Sequence, residues 1–171
     1  MAELVDDVLF LSELESGRAV VALGEVSVAP IVGEVVAAQQ PSADRHDQEL
    51  VTLVADDVNV AVRPRMLRVL VENLLANAIR YAGDGARVTV SARTEGNVVL
   101  LSVADNGRGV PKTELPRLFE RFFRGDRART THGSGLGLAI VKHVVTQAGG
   151  DVDARPGPGG LGLEVRCTFP R

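Results

Sequence analysis

Residues Pro64 to Tyr81 constrain the fold of this 171-residue chain more than any other stretch. Leu67, Leu70, Val71, Leu74 and Ala78 recur at i, i+3, i+4, i+7 and i+11, the spacing of a helix that buries one continuous stripe. At about 100° per residue, Asn73, Asn77, Arg80 and Tyr81 fall together on a neighbouring face, while Glu72 points the other way. Asn is a poor mid-helix residue because its side chain competes for backbone hydrogen bonds. Two of them four apart ask for a reason. Their amide oxygens suit a hard cation, and the Arg fork suits phosphate; a solvated flank is the bland alternative.

The elements around this helix follow from periodicity. Leu4, Val5, Val8, Leu9, Leu11 and Leu14 have helical spacing, and Gly17 reads as the stop. Some three turns are too few to be stable alone, so this segment reads as the end of a longer helix. Val20 to Val28 is extended. Pro30 opens a helix through about Gln40, with Ile31, Val32, Val35 and Val36 on one face. Glu49 to Val54 and Val58 to Val62 read as strands. Ala86 to Ala92 and Asn97 to Val103 alternate around Glu95-Gly96-Asn97 and predict a hairpin. Leu136 to Ala148 predicts a second clear helix, and Gly150 to Arg155 pairs with Gly162 to Phe169 across a Pro/Gly turn. Aromatics are only 4% and Trp is absent, so aliphatic side chains must build the core.

Two glycine-rich stretches remain. In "DNGRGVP", Asp105 to Pro111, a carboxylate follows a strand. An ionised carboxylate only accepts hydrogen bonds, so Asp105 suits an exocyclic amine such as that of adenine. Gly107 and Gly109 remove side chains where a flat ring must approach the backbone. In "GSGLGLAIVKHVV", Gly133 to Val145, Gly133, Gly135 and Gly137 open a helix, where free N–H groups and the helix dipole favour phosphate. Either stretch alone could be a flexible loop. Together with the Asn/Arg face they describe a nucleotide site holding a divalent ion.

Composition excludes other classes. A net charge of −3 offers no general attraction to nucleic acid. Cys167 is the single cysteine and cannot form an intrachain disulfide, which fits a reducing compartment. No apolar run approaches the roughly 18 residues that span a bilayer, so the chain is expected to be soluble.

"RVLVENLLANAIRYA" (Arg68 to Ala82), "DNGRGVP", "LFERFFRGD" (Leu118 to Asp126) and "GSGLGL" resemble, in order and spacing, the N box, first glycine box, F box and second glycine box of sensor histidine kinases. These belong to the wider group of gyrase, the Hsp90 chaperones and MutL. The resemblance covers roughly Val20 to Phe169 and implies an α/β fold: a two-layer α+β sandwich, its mixed β-sheet covered on one face by three helices. "VLFLSELESG" (Val8 to Gly17) resembles the end of the second helix of the dimerisation and phosphoacceptor domain. Residues 1–17 are then a stub of that domain and 18–171 the ATP-binding catalytic domain, with a mobile ATP lid at about 110–132.

The resemblance also implies roles. Asn77 would hold Mg²⁺ on the phosphates of ATP, with Asn73 as a second polar contact. Arg80 stands where Lys is commoner in the family, and the two cations differ in geometry. Tyr81 would lie against adenine and Asp105 would accept from its amine, with Gly107, Gly109 and Val110 forming the pocket. Gly133, Ser134, Gly135, Leu136 and Gly137 would close over the phosphates. Arg124, after Phe122-Phe123, would reach the terminal phosphate, and Arg121, Arg127 and Arg129 add to the lid's positive charge.

The family's phosphoacceptor is a His followed by an acidic residue near the start of a long helix. His46, His132 and His143 lack that setting and lack metal-ligand spacing. The implied activity is transfer of the γ-phosphoryl group to a His on a separate dimerisation domain, for relay to a response-regulator Asp. The implied parent is a homodimeric, membrane-anchored sensor, this being a cytoplasmic, monomeric part of it. Three rivals stand beside this reading. "LVADDVNV" (Leu53 to Val60) resembles a receiver's acidic pair, but a helix and then a hairpin follow it rather than alternating strands and helices. A nucleotide-gated regulatory module or an anti-sigma-type serine protein kinase of the same superfamily would keep the nucleotide site; the F box and helical stub favour the histidine kinase. A clamp ATPase would need a carboxylate on the Asn face, and Glu72 lies beside it.

Overall fold

The computed structural model describes residues 2–15, 21–125 and 133–171. In chain order the elements are helix α1 (Ala2–Glu15), strand β1 (Val21–Ser27), helix α2 (Val28–Asp44), strands β2 (Glu49–Val54) and β3 (Asn59–Val62), helix α3 (Pro64–Ala82), strands β4 (Arg87–Glu95) and β5 (Val98–Asp105), helix α4 (Gly137–Gln147), and strands β6 (Asp151–Pro156) and β7 (Leu163–Pro170). Five strands form a mixed sheet in the order β2-β4-β5-β7-β6. Only β2 and β4 run parallel, and a parallel pair needs a long crossover, here supplied by β3 and α3. Strands β1 and β3 pair antiparallel in a separate two-stranded sheet.

Helices α2, α3 and α4 lie side by side on one face of the five-stranded sheet, with α3 in the middle. The stripe read from α3 is buried throughout, Leu67, Leu70 and Val71 completely. It meets Val88, Val90 and Ala92 of β4, Val99, Leu101 and Val103 of β5, and Val165, Cys167 and Phe169 of β7 in one core. These residues are two apart along each strand, as a one-sided face requires. Burial also pushes the Cys167 thiol far up from its ordinary range, so it is unreactive here.

Both ends of α2 differ from the pattern reading. Helix α2 begins at Val28 rather than Pro30, because the Val28 N–H donates to the Val58 carbonyl at 3.0 Å and its side chain is fully buried. It also runs past Pro41 to Asp44. Pro41 lacks the N–H for a bond within the helix, but Ala43 is wholly buried and holds the last turn on the core. In the loop that follows, buried Gln48 donates through Nε2 to the carbonyls of Ile79 and Gly83, each at 2.9 Å. It thereby satisfies carbonyls that the C-terminal end of α3 leaves unpaired.

Helix α1 packs beside α4, with Leu11 in the core. Its continuation to Gly17 lies outside the described residues. Among the described residues no helix is long and apolar enough to cross a membrane.

Candidate nucleotide site

Three chain segments converge on one cavity of about 310 Å³: the second half of α3, the loop after β5, and the loop that opens α4. From α3 come Asn73, Asn77, Arg80 and Tyr81, all on the cavity wall. Asn73 is fixed from behind, since its Nδ2 donates to the Val69 carbonyl one turn earlier at 2.8 Å. The amide oxygen is therefore turned toward α4, where it stands 2.9 Å from the point a Cβ on Gly137 would occupy.

The glycines that open α4 each clear room for an identifiable group. A Cβ on Gly133 would come within 2.8 Å of Arg80 Nη1 and 3.2 Å of the Tyr81 hydroxyl. Gly135 has φ +71°, and a Cβ there would meet the Phe122 backbone at 3.0 Å. Ser134, Gly135 and Gly137 line the cavity. The Leu136 side chain is completely buried in the core; its N–H donates to Ser134 Oγ at 3.2 Å. Leu136 thus anchors the loop from below.

Asp105 ends β5 and is only 6% exposed. One carboxylate oxygen accepts the Gly107 N–H at 2.9 Å, and the Leu163 backbone also bonds the group. Burial raises its pKa above the ordinary carboxylate value, opposed in part by these two backbone bonds. Gly109, Val110 and Leu163 line the cavity beside it. The glycines of this stretch have a reason that pattern alone does not reveal. A Cβ on Gly107 would fall 2.1 Å from the Ala82 carbonyl oxygen, and one on Gly109 would fall 2.8 Å from that of Gly162. Both positions are closed by backbone against backbone.

The stretch expected to form a lid, about 110–132, is described at residues 110–125; Arg127, Arg129 and His132 lie outside the described residues. Leu115, Leu118 and Phe119 pack against the core. Arg117 stacks over the Phe123 ring at 4.4 Å, and Arg124 lines the cavity. Phe122 has φ +61°, unusual for a bulky side chain, and its N–H donates to the Gly135 carbonyl at 3.0 Å.

Three wall residues were invisible to sequence pattern. His46 reaches the cavity from the loop before β2 and bonds Asp84 at 2.9 Å. Arg108 packs its side chain against Gly83. Asp7 arrives from α1 and accepts the Ser134 hydroxyl at 2.6 Å. His46 and Asp7 belong to segments that only folding brings to the site; Arg108 lies within the first glycine-rich stretch, but nothing in its spacing marks its side chain as part of the wall.

Residues 62–171 match the family described as histidine kinase-, DNA gyrase B- and HSP90-like ATPases. The sensor-like histidine kinase SenX3 of Mycobacterium tuberculosis is 36% identical over 163 residues, which cover 93% of this chain and 40% of SenX3. The chain therefore spans well under half the length of this curated relative. Among solved structures, the mycobacterial sensor histidine kinase MprB matches with a TM-score of 0.75 and 31% identity, covering 86% of this chain and 97% of that one. Full-length ShkA in complex with AMPPNP matches with a TM-score of 0.82 and 29% identity, covering 98% of this chain and 35% of ShkA.

Proposed function

The chain belongs to the family of histidine kinase-, DNA gyrase B- and HSP90-like ATPases, and we propose that it is the ATP-binding catalytic domain of a sensor histidine kinase. One observation carries this reading: the Asn73/Asn77/Arg80 face of α3 and the glycine loop at the start of α4 line a single cavity together with Gly109, Val110 and Leu163, and Asp105 is buried behind that wall, bonded to the backbone of Gly107 and Leu163. The similarity to SenX3 and MprB, both named sensor histidine kinases, supports the same conclusion.

In this reading adenine enters beside Val110 and Leu163, with its amine donating to Asp105 and Tyr81 against the ring. The polyphosphate lies toward Ser134, Gly135 and Gly137, where N–H groups and the positive end of α4 favour anions. The donor set suits a magnesium ion. The Asn73 oxygen is turned toward the start of α4 at Gly137, Asn77 shares the wall, and Mg²⁺ takes few protein oxygens when phosphates and water complete its shell. Bound there, the ion would offset phosphate charge. Arg80 and Arg124 would orient the terminal phosphate and stabilise charge on its oxygens. A histidine ring nitrogen of the dimerisation domain attacks the γ-phosphorus, the bond to the bridging oxygen breaks, and ADP leaves. The phosphoryl group then passes to an Asp of a response regulator.

Calorimetry tests the site. ATP with Mg²⁺ should bind, and Asn77→Ala should weaken it roughly tenfold or more, as loss of a charge-linked contact does. Adenosine, which has no phosphates, should bind Asn77→Ala almost as it binds the parent. Equal loss of both ligands from a folded variant would give Asn77 a purely structural role.

A further inference from the structure

The Ser134 hydroxyl, at the phosphate end of the proposed site, already has an anionic partner. It donates to Asp7 Oδ2 at 2.6 Å, and Asp7 stands on the cavity wall. The carboxylate comes from α1, which no glycine-box or Asn-face pattern includes. Three further contacts hold α1 in place. Leu11 is buried in the core, the Phe10 ring lies under the Arg65 guanidinium at 5.8 Å, and Glu15 pairs with Arg121. Arg121 adjoins Phe122, whose N–H donates to the Gly135 carbonyl. Two carboxylates of α1, Asp7 near its middle and Glu15 at its C-terminal end, therefore grip the same assembly: Asp7 takes the loop that opens α4, and Glu15 takes the segment hydrogen-bonded to that loop.

We propose that Asp7 is an intramolecular substitute for phosphate, so that docked α1 and bound nucleotide exclude each other at the Ser134 end of the cavity. This rests on the nucleotide reading given above. A serine hydroxyl has one proton to donate and cannot give it to Asp7 and to a phosphate oxygen at once. Two anions at such range in a half-buried cavity also repel. Among the described side chains of α1, Val5, Val8 and Leu9 are 53%, 44% and 59% exposed and do little to hold the helix on the core. Linkage then requires reciprocity, with nucleotide loosening α1 by the same factor that α1 weakens nucleotide. Anything that draws α1 away raises the affinity for ATP.

Calorimetry on the full chain, comparing the parent with Asp7→Ala, Asp7→Asn and Glu15→Gln, decides this. Asp7→Ala should bind ATP roughly tenfold more tightly, within the usual range of such couplings, and adenosine with unchanged affinity. Asp7→Asn keeps an acceptor for Ser134 without the charge and should fall between. Glu15→Gln should tighten ATP to a smaller degree. In the parent, ATP should also speed hydrogen exchange of the amides in residues 2–15, and adenosine should not. Unchanged or weaker ATP binding in Asp7→Ala, with adenosine binding intact, overturns the proposal; weaker binding would make Asp7 a group that supports the nucleotide. If the parent and variants bind neither ATP nor adenosine, the nucleotide reading itself fails, and this inference falls with it.

Discussion

Asp105 is the residue where the demands of fold and ligand are most clearly opposed. Its carboxylate is nearly out of reach of water, and burial raises its pKa despite backbone N–H bonds from Gly107 and Leu163. An acid whose folded pKa is raised contributes stability that is fully present below the unfolded pKa and is lost as pH rises through the folded value. At neutral pH the ionised group therefore costs the empty protein stability. Asp105→Asn keeps an oxygen for the Gly107 N–H and removes the charge. Without nucleotide, the variant should melt above the parent at pH 7, with the difference shrinking toward pH 4. ATP affinity should move the other way, falling by about 1–3 kcal/mol as a charge-assisted bond is lost. An unliganded variant that melts below the parent at pH 7 would mean that the ionised carboxylate is a net support of the fold.

Among the elements, α2 and the loop after β5 contain glycines of opposite meaning. Gly33 lies on the exposed side of α2, with open space where a Cβ would stand. Gly33→Ala should stabilise the protein by about 0.5–1 kcal/mol, since glycine surrenders more chain entropy in a helix than alanine does. Gly107→Ala places a methyl 2.1 Å from the Ala82 carbonyl oxygen, a backbone atom that cannot swing aside. It must pry the end of α3 away from the loop after β5, with destabilisation of several kcal/mol on the order of severe overpacking. Thermal denaturation of the two variants checks both signs. A Gly107→Ala protein as stable as the parent would show that this backbone contact is not rigid.

At the level of the whole molecule, the proposed site faces α1, and the proposed phosphoryl transfer needs a second domain. His46 is tied to Asp84 and, although Asp47 follows it, lies in the loop after α2, and His143 on α4 is followed by Val144; neither has the setting of the family's phosphoacceptor, a His followed by an acidic residue near the start of a long helix. The chain should therefore bind ATP but retain no label from γ-labelled ATP. Adding a matching dimerisation domain should produce acid-labile, base-stable label on that domain, the behaviour of phosphohistidine. The rate should be low, because positioning that a covalent link supplies is lost when the domains are separate. Acid-stable label on serine or threonine of a partner protein would instead favour the serine-kinase reading.

Periodicity determined the elements. The α3 stripe, the β4–β5 hairpin and the β6–β7 pair all follow from spacings of three to four or of two residues, because each buries one face against the same core. The chemistry on α3 was legible for the same reason: Asn73, Asn77, Arg80 and Tyr81 share a face that geometry alone predicts. Other features depended on contacts between distant segments. Helix α2 runs through Pro41 because Ala43 is buried, and Gln48 completes the end of α3 from 31 residues away. Gly107 is required by the Ala82 carbonyl. Asp7 reaches Ser134 across 127 positions of sequence. Local pattern records which face of an element is apolar; it carries no record of which remote polar group will arrive at that face. Only the packed chain decides that, by bringing donor and acceptor within 3 Å.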